Sequence, residues 1–132
     1  MIYVHRVLEK KLHDYLVSFP IIGVTGPRQS GKSTLLRHNL DNYQYVTFDD
    51  HEIVSFFESD PKEFFNVYND KVIFDEVQKA PGIFDYLKVA VDNDRENYGK
   101  YVITGSSQFS LIKSTYLFTV CLKCQGLTAE ID

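Results

Sequence analysis

The stretch that most restricts the fold of this chain is Gly26-Pro27-Arg28-Gln29-Ser30-Gly31-Lys32-Ser33, followed by Thr34. It fits G-x-x-x-x-G-K-[ST], a loop whose backbone N–H groups wrap phosphate oxygens. Gly26 and Gly31 stand where a β-carbon would hold the backbone away from such a ligand. Before the loop comes the apolar run Ile21-Ile22-Gly23-Val24-Thr25, suited to a buried strand, and after it Thr34-Leu35-Leu36-Arg37-His38 continues as a helix. Strand, glycine loop and helix in that order require a sheet whose strands are joined by helical crossovers.

The remaining pattern agrees. Val4, Val7, Leu8, Leu12, Tyr15 and Leu16 recur at helical spacing, which predicts a helix over residues 3–18, closed by Pro20. Gln44-Tyr45-Val46-Thr47-Phe48 predicts a second strand. A short helix around Ile53, Val54, Phe56 and Phe57 follows. Asp60-Pro61-Lys62-Glu63 then opens another, with Asp as the cap and Pro at the first helical position. Val72-Ile73-Phe74 is apolar without alternation, as in a strand covered on both faces, and ends in Asp75-Glu76. A loop at Gln78-Lys79-Ala80-Pro81-Gly82 precedes a helix expected from residue 83 to about 97, stopped by Gly99. Tyr101-Val102-Ile103-Thr104 is a fourth strand, and residues 116–120 could supply a fifth, irregular one. Strands alternating with helices predict a three-layer α/β P-loop NTPase fold with a mostly parallel sheet. The division expected is a core over residues 1–112 and a divergent tail over 113–132.

With 132 residues the chain suits one domain. A net charge of −4 supplies no general attraction to nucleic acid. The N-terminal residues carry His5, Arg6, Glu9, Lys10 and Lys11 and lack the apolar core of a signal peptide. The apolar run at 116–122 is too short to span a bilayer, so no membrane association and a cytoplasmic location are expected. Cys121 and Cys124 form one C-x-x-C, without histidines at ligand spacing for zinc and without a thioredoxin-like context.

In such a fold a ligand sits at the carboxyl ends of the strands. The loop residues Gly26, Pro27, Arg28, Gln29, Ser30, Gly31, Lys32, Ser33 and Thr34 are the candidate nucleotide-binding set. Lys32 would reach the β- and γ-phosphates, and Ser33 would give its hydroxyl to Mg²⁺. Arg28 is either a phosphate contact or an exposed charge. Asp75 is the second candidate metal ligand, and Glu76 the group that polarises the attacking water. Ser106 and Ser107 either donate to the γ-phosphate or the water, or simply turn the chain. Asp49 and Asp50 either approach the metal's outer shell or cap a helix.

Together, the G-P-R-Q-x-G-K-S loop, Phe48-Asp49-Asp50, Asp60-Pro61, Phe74-Asp75-Glu76-Val77-Gln78-Lys79-Ala80-Pro81 and Thr104-Gly105-Ser106-Ser107-Gln108 resemble a group of prokaryotic AAA+-type ATPases. In that group an N-terminal ATPase module precedes a C-terminal domain of unknown function. The resemblance covers residues 1 to about 112. It implies strand order 5-1-4-3-2, ATP with Mg²⁺ as cofactors, and Lys32 and Ser33 on phosphate and metal. It also implies Asp75 and Glu76 as the Walker B pair and Ser106 as the sensor, so the catalytic set is Glu76, Lys32 and Ser106. A protein partner or self-association through the ATPase face stays open.

The chain departs from that group at its end. Residues 111–132 contain no arginine, Arg95 being the last, so an arginine finger there is missing. This makes the tail read as a truncated or frame-shifted product or a clipped piece. The expectations are Mg²⁺-ATP binding and weak hydrolysis. The alternatives are a P-loop kinase for a small molecule, or a remnant that is not an enzyme, whose sheet without a proper fifth strand would leave an exposed edge beside the strand before the glycine loop.

Overall fold

The computed structural model describes residues 2–25, 32–105 and 117–121, with side chains for residues 9–24 and 34–105. The first helix, α1 (Ile2–Leu16), leads through Pro20 into β1 (Ile21–Thr25). Helix α2 (Lys32–Asn39) is followed by β2 (Gln44–Thr47), α3 (His51–Ser59) and α4 (Pro61–Val67). Then come β3 (Val72–Asp75), a 3-10 turn (Val77–Lys79), α5 (Ile83–Asp92), β4 (Tyr101–Gly105) and β5 (Leu117–Cys121).

The strands form one sheet in the order β2-β3-β4-β1-β5, which from its other edge reads 5-1-4-3-2 as expected. All four pairings are parallel. Because successive side chains alternate in direction, the register divides the sheet into two faces. Ile22, Val24, Ile73 and Val102 point to one, where Leu12 and Leu16 of α1, Leu36 of α2 and Leu40 just after it cover them. Ile21, Val46, Val72, Phe74, Tyr101 and Ile103 point to the other, beneath α3, α4 and α5. That second core is aromatic: the Phe74 ring stacks on Phe48 at 6.0 Å and on Phe64 at 5.8 Å between centroids. The expected three-layer α/β fold is thus the observed one, and β3 is buried at every position because helices cover both its faces.

Local chemistry sets the helix ends. Asp50 caps α3 by accepting from the Glu52 N–H, and Asp60 caps α4 by accepting from the Glu63 N–H at 3.2 Å, with Pro61 at the first turn. Three expectations change. The helix expected to reach residue 97 ends at Asp92, where Asp94 and Asn97 favour side-chain bonds over helix; Asp94 takes Lys100 and Asn97 as partners. Gly99 therefore stops no helix. It sits at φ 72° with its N–H on the Phe19 carbonyl, and a β-carbon there would lie 2.8 Å from the Tyr43 hydroxyl and 2.9 Å from the Leu16 carbonyl oxygen. Burial, helped by the charge of Asp70, pushes the Tyr43 pKa up to about 12, so that hydroxyl stays a donor to the Gly99 carbonyl. Finally, the fifth strand, expected to be irregular over 116–120, runs as β5 and pairs with β1 along all five residues of each, so the edge that a remnant would leave bare is covered. No helix among the described residues is long and apolar enough to cross a membrane.

Candidate functional site

Since every strand is parallel, Thr25, Thr47, Asp75, Gly105 and Cys121 end on the same edge of the sheet. Residues 26–31 lie outside the described residues; they join the carboxyl end of β1 to the amino end of α2. Lys32, Ser33 and Thr34 form the first turn of α2. The helix therefore starts at the edge where the strands end, and its amino end carries the positive side of the helix dipole.

Asp75 closes β3 on the face that α2 covers, the face shared with Ile73 two residues earlier. Its carboxylate is buried, 5% exposed, and both of its oxygens accept hydroxyl hydrogen bonds. Thr104, fully buried in β4, donates to Oδ1, and Tyr45 of β2 donates to Oδ2 at 2.5 Å. The Tyr45 reach follows from register. Tyr45 faces Ile73 directly, so Asp75 is its diagonal neighbour, within range of a long aromatic side chain. Over the Tyr45 ring stands the guanidinium of Arg37 from α2, 4.9 Å from the centroid.

The next residue, Glu76, leaves the strand in the left-handed region at φ 59° and ψ 49°, a conformation that costs a non-glycine residue about 1–2 kcal/mol. Its N–H donates to Thr104 Oγ1 at 3.2 Å, so one threonine ties down both acids. Its carboxylate, also buried, accepts from Gln78 Nε2 at 2.6 Å. Nearby, Lys79 pairs with Asp49, while Asp50 serves as the α3 cap. Of the two sequence alternatives, capping is what Asp50 does, while Asp49 forms an ion pair that neither alternative named.

The structure brings Asp75 and Glu76 together at the strand edge from which α2 departs. Ser106, Ser107, Arg28 and the glycines lie outside the described residues. Thr104, Tyr45 and Gln78 were not singled out as site residues by the sequence reading. A register would have found the first two, since each must share a face with Asp75 on a neighbouring strand; that register, which neither local pattern nor strand order contains, was the missing signal.

Residues 18–118 match the family model described as an AAA domain. Two curated relatives are uncharacterized proteins, Mb2031c of Mycobacterium bovis and Rv2008c of Mycobacterium tuberculosis, each 30% identical over 113 residues. The match covers 85% of this chain but 25% of theirs, so the chain spans a quarter of the length of these relatives. Among solved structures, a DNA replication initiation factor is similar with a TM-score of 0.52 and 20% identity, over 78% of this chain and 36% of that one; the likeness is one of fold. With the glycine-loop connection, the parallel sheet and the paired acids on one edge, and the family match over most of its length, the chain belongs to the AAA domain family and carries an ATPase-like P-loop module.

Proposed function

We propose that this module binds Mg²⁺-ATP at the carboxyl edge of its sheet and, as this chain alone, hydrolyses it slowly. The observation that carries the reading is the Asp75 carboxylate, buried and oriented by two hydroxyls on the face covered by the helix that the glycine loop enters. An oxygen donor of this kind suits Mg²⁺, which is held by one or two carboxylates together with substrate phosphates. A buried carboxylate that accepts hydroxyl hydrogen bonds is a hard oxygen donor, so the donor chemistry fits the ion. Asp75 and the Ser33 hydroxyl would hold it; when bound, it neutralises charge on the phosphates.

Backbone N–H groups from Gly31 to Thr34 bind phosphate, and Lys32 adds a fixed positive charge. Glu76 accepts a proton from the attacking water, and Ser106 contributes a hydrogen bond to the γ-phosphate. Residues 111–132 hold no arginine to act as a finger, a group that contributes about 10³ to 10⁵ in rate, so these residues by themselves turn over slowly. A protein partner at this face would supply it.

Thermal melting with and without Mg²⁺-ATP tests the reading. At about 100 times Kd the nucleotide stabilises by roughly 2.7 kcal/mol, or about 10 °C for a domain of this size. Lys32→Ala should abolish the shift, and Glu76→Gln should keep it while removing residual turnover. A wild-type melt indifferent to millimolar Mg²⁺-ATP overturns the proposal.

A further inference from the structure

We propose that Tyr45 is a positioning residue for the metal-binding acid, its ring clamped by Arg37 so that the Asp75 carboxylate is tied to the helix that follows the phosphate loop. The inference rests on the Mg²⁺-ATP reading and deepens it. A carboxylate at the end of a strand has a free rotation about its last torsion, and a metal contact through one oxygen requires that rotation to be stopped. The Thr104 hydrogen bond to Oδ1 does not by itself stop the group pivoting about that bond. The Tyr45 hydroxyl on Oδ2, approaching from the strand on the opposite side, removes the pivot.

Tyr45 is itself a long lever from a four-residue edge strand, so its hydroxyl is placed only as well as its ring. The ring is placed by its surroundings. It packs against the core cluster to which Ile73, Leu36 and Leu40 belong, and Arg37 covers it at 4.9 Å. Leu36 and Arg37 are successive residues of α2, the helix whose first turn contains Lys32 and Ser33. One continuous chain of contacts therefore runs from α2 through Arg37 and the Tyr45 ring to Asp75. A cation over an aromatic face is worth about 0.5–1 kcal/mol at an exposed site, enough to bias the ring and too little to hold the fold.

The test is the Mg²⁺ dependence of nucleotide binding, followed with a fluorescent ATP analogue in EDTA and across a Mg²⁺ titration. Groups that orient a metal ligand typically change metal affinity by 10- to 100-fold. Tyr45→Phe keeps the ring and deletes the hydroxyl; it should raise the Mg²⁺ midpoint about 10-fold while affinity in EDTA stays at the wild-type value. Arg37→Met should raise the midpoint by about 2- to 4-fold. Acting through the same hydroxyl, it should add little to Tyr45→Phe in the double variant. A Mg²⁺ midpoint unchanged in Tyr45→Phe overturns the proposal. So does equal weakening in EDTA and in Mg²⁺, which would mean a purely structural role. Should wild type show no Mg²⁺-dependent binding at all, the parent reading fails and this one falls with it; binding by wild type with an indifferent Tyr45→Phe sinks only the inference.

Discussion

Thr104 is the residue on which the two acids converge. Its hydroxyl gives its proton to Asp75 and takes the Glu76 N–H, in a place without exposure to solvent. Thr104→Val has nearly the same shape and neither bond. It leaves a buried N–H without its threonine acceptor and a buried carboxylate short of a donor, and is expected to cost about 2–4 kcal/mol in urea unfolding. Thr104→Ser keeps the hydroxyl and should cost only about 1 kcal/mol for the lost methyl. A Thr104→Val variant within about 0.5 kcal/mol of wild type would show that the methyl packing matters and the hydrogen bonds do not. The acids themselves were legible in the sequence, because an apolar run that stops at Asp75-Glu76 marks a buried strand meeting a polar edge. Thr104 was hidden inside an apolar-looking strand, where nothing local separates a β-branched core residue from a hydrogen-bonding one.

Elements were legible in proportion to how local their causes are. The start of α4 is written in four consecutive residues, Asp60 to Glu63, and the structure has the cap that they predict. The end of α5 is not written that way. Apolar spacing ran out near Val91, the acidic and amide residues beyond it found bonds with one another and with Lys100, and Gly99 answered to a partner far away in sequence. That glycine is where α1, the turn before β2 and the approach to β4 meet, since Leu16 and Tyr43 both close on it. Gly99→Ala would add left-handed strain to a clash with a backbone carbonyl that cannot rotate away, so a loss of about 2–4 kcal/mol is expected. Thermal melting checks it: a variant within about 0.5 kcal/mol of wild type would mean that the ends of α1 and β4 shift apart easily.

For the molecule as a whole, the sheet order carries the most information and was reached through resemblance to a family, since local pattern says which residues are strands and not which strands are neighbours. The order separates pairings by their distance along the chain. Strands β2 and β3 are joined by two short helices, and their partnership is the most local in the sheet. By contrast β1 pairs only with β4 and β5. Contacts that close long loops form late. Pulsed hydrogen exchange during refolding should therefore protect amides of Tyr45, Val46, Ile73 and Phe74 before those of Ile22 and Val24. Simultaneous protection would indicate a single all-or-none step.

The same order matters on the ribosome. Strand β1 is the first to be made, yet both of its neighbours are among the last, with about a hundred residues between it and the end of β5. At roughly 5–20 residues per second, its apolar residues wait about 5–20 s for a place in the sheet. The glycine loop is synthesised immediately behind it and cannot be braced between strands during that interval. A nascent chain therefore cannot brace the glycine loop between strands until β5 has been made, although the codons for that loop come about ninety residues earlier.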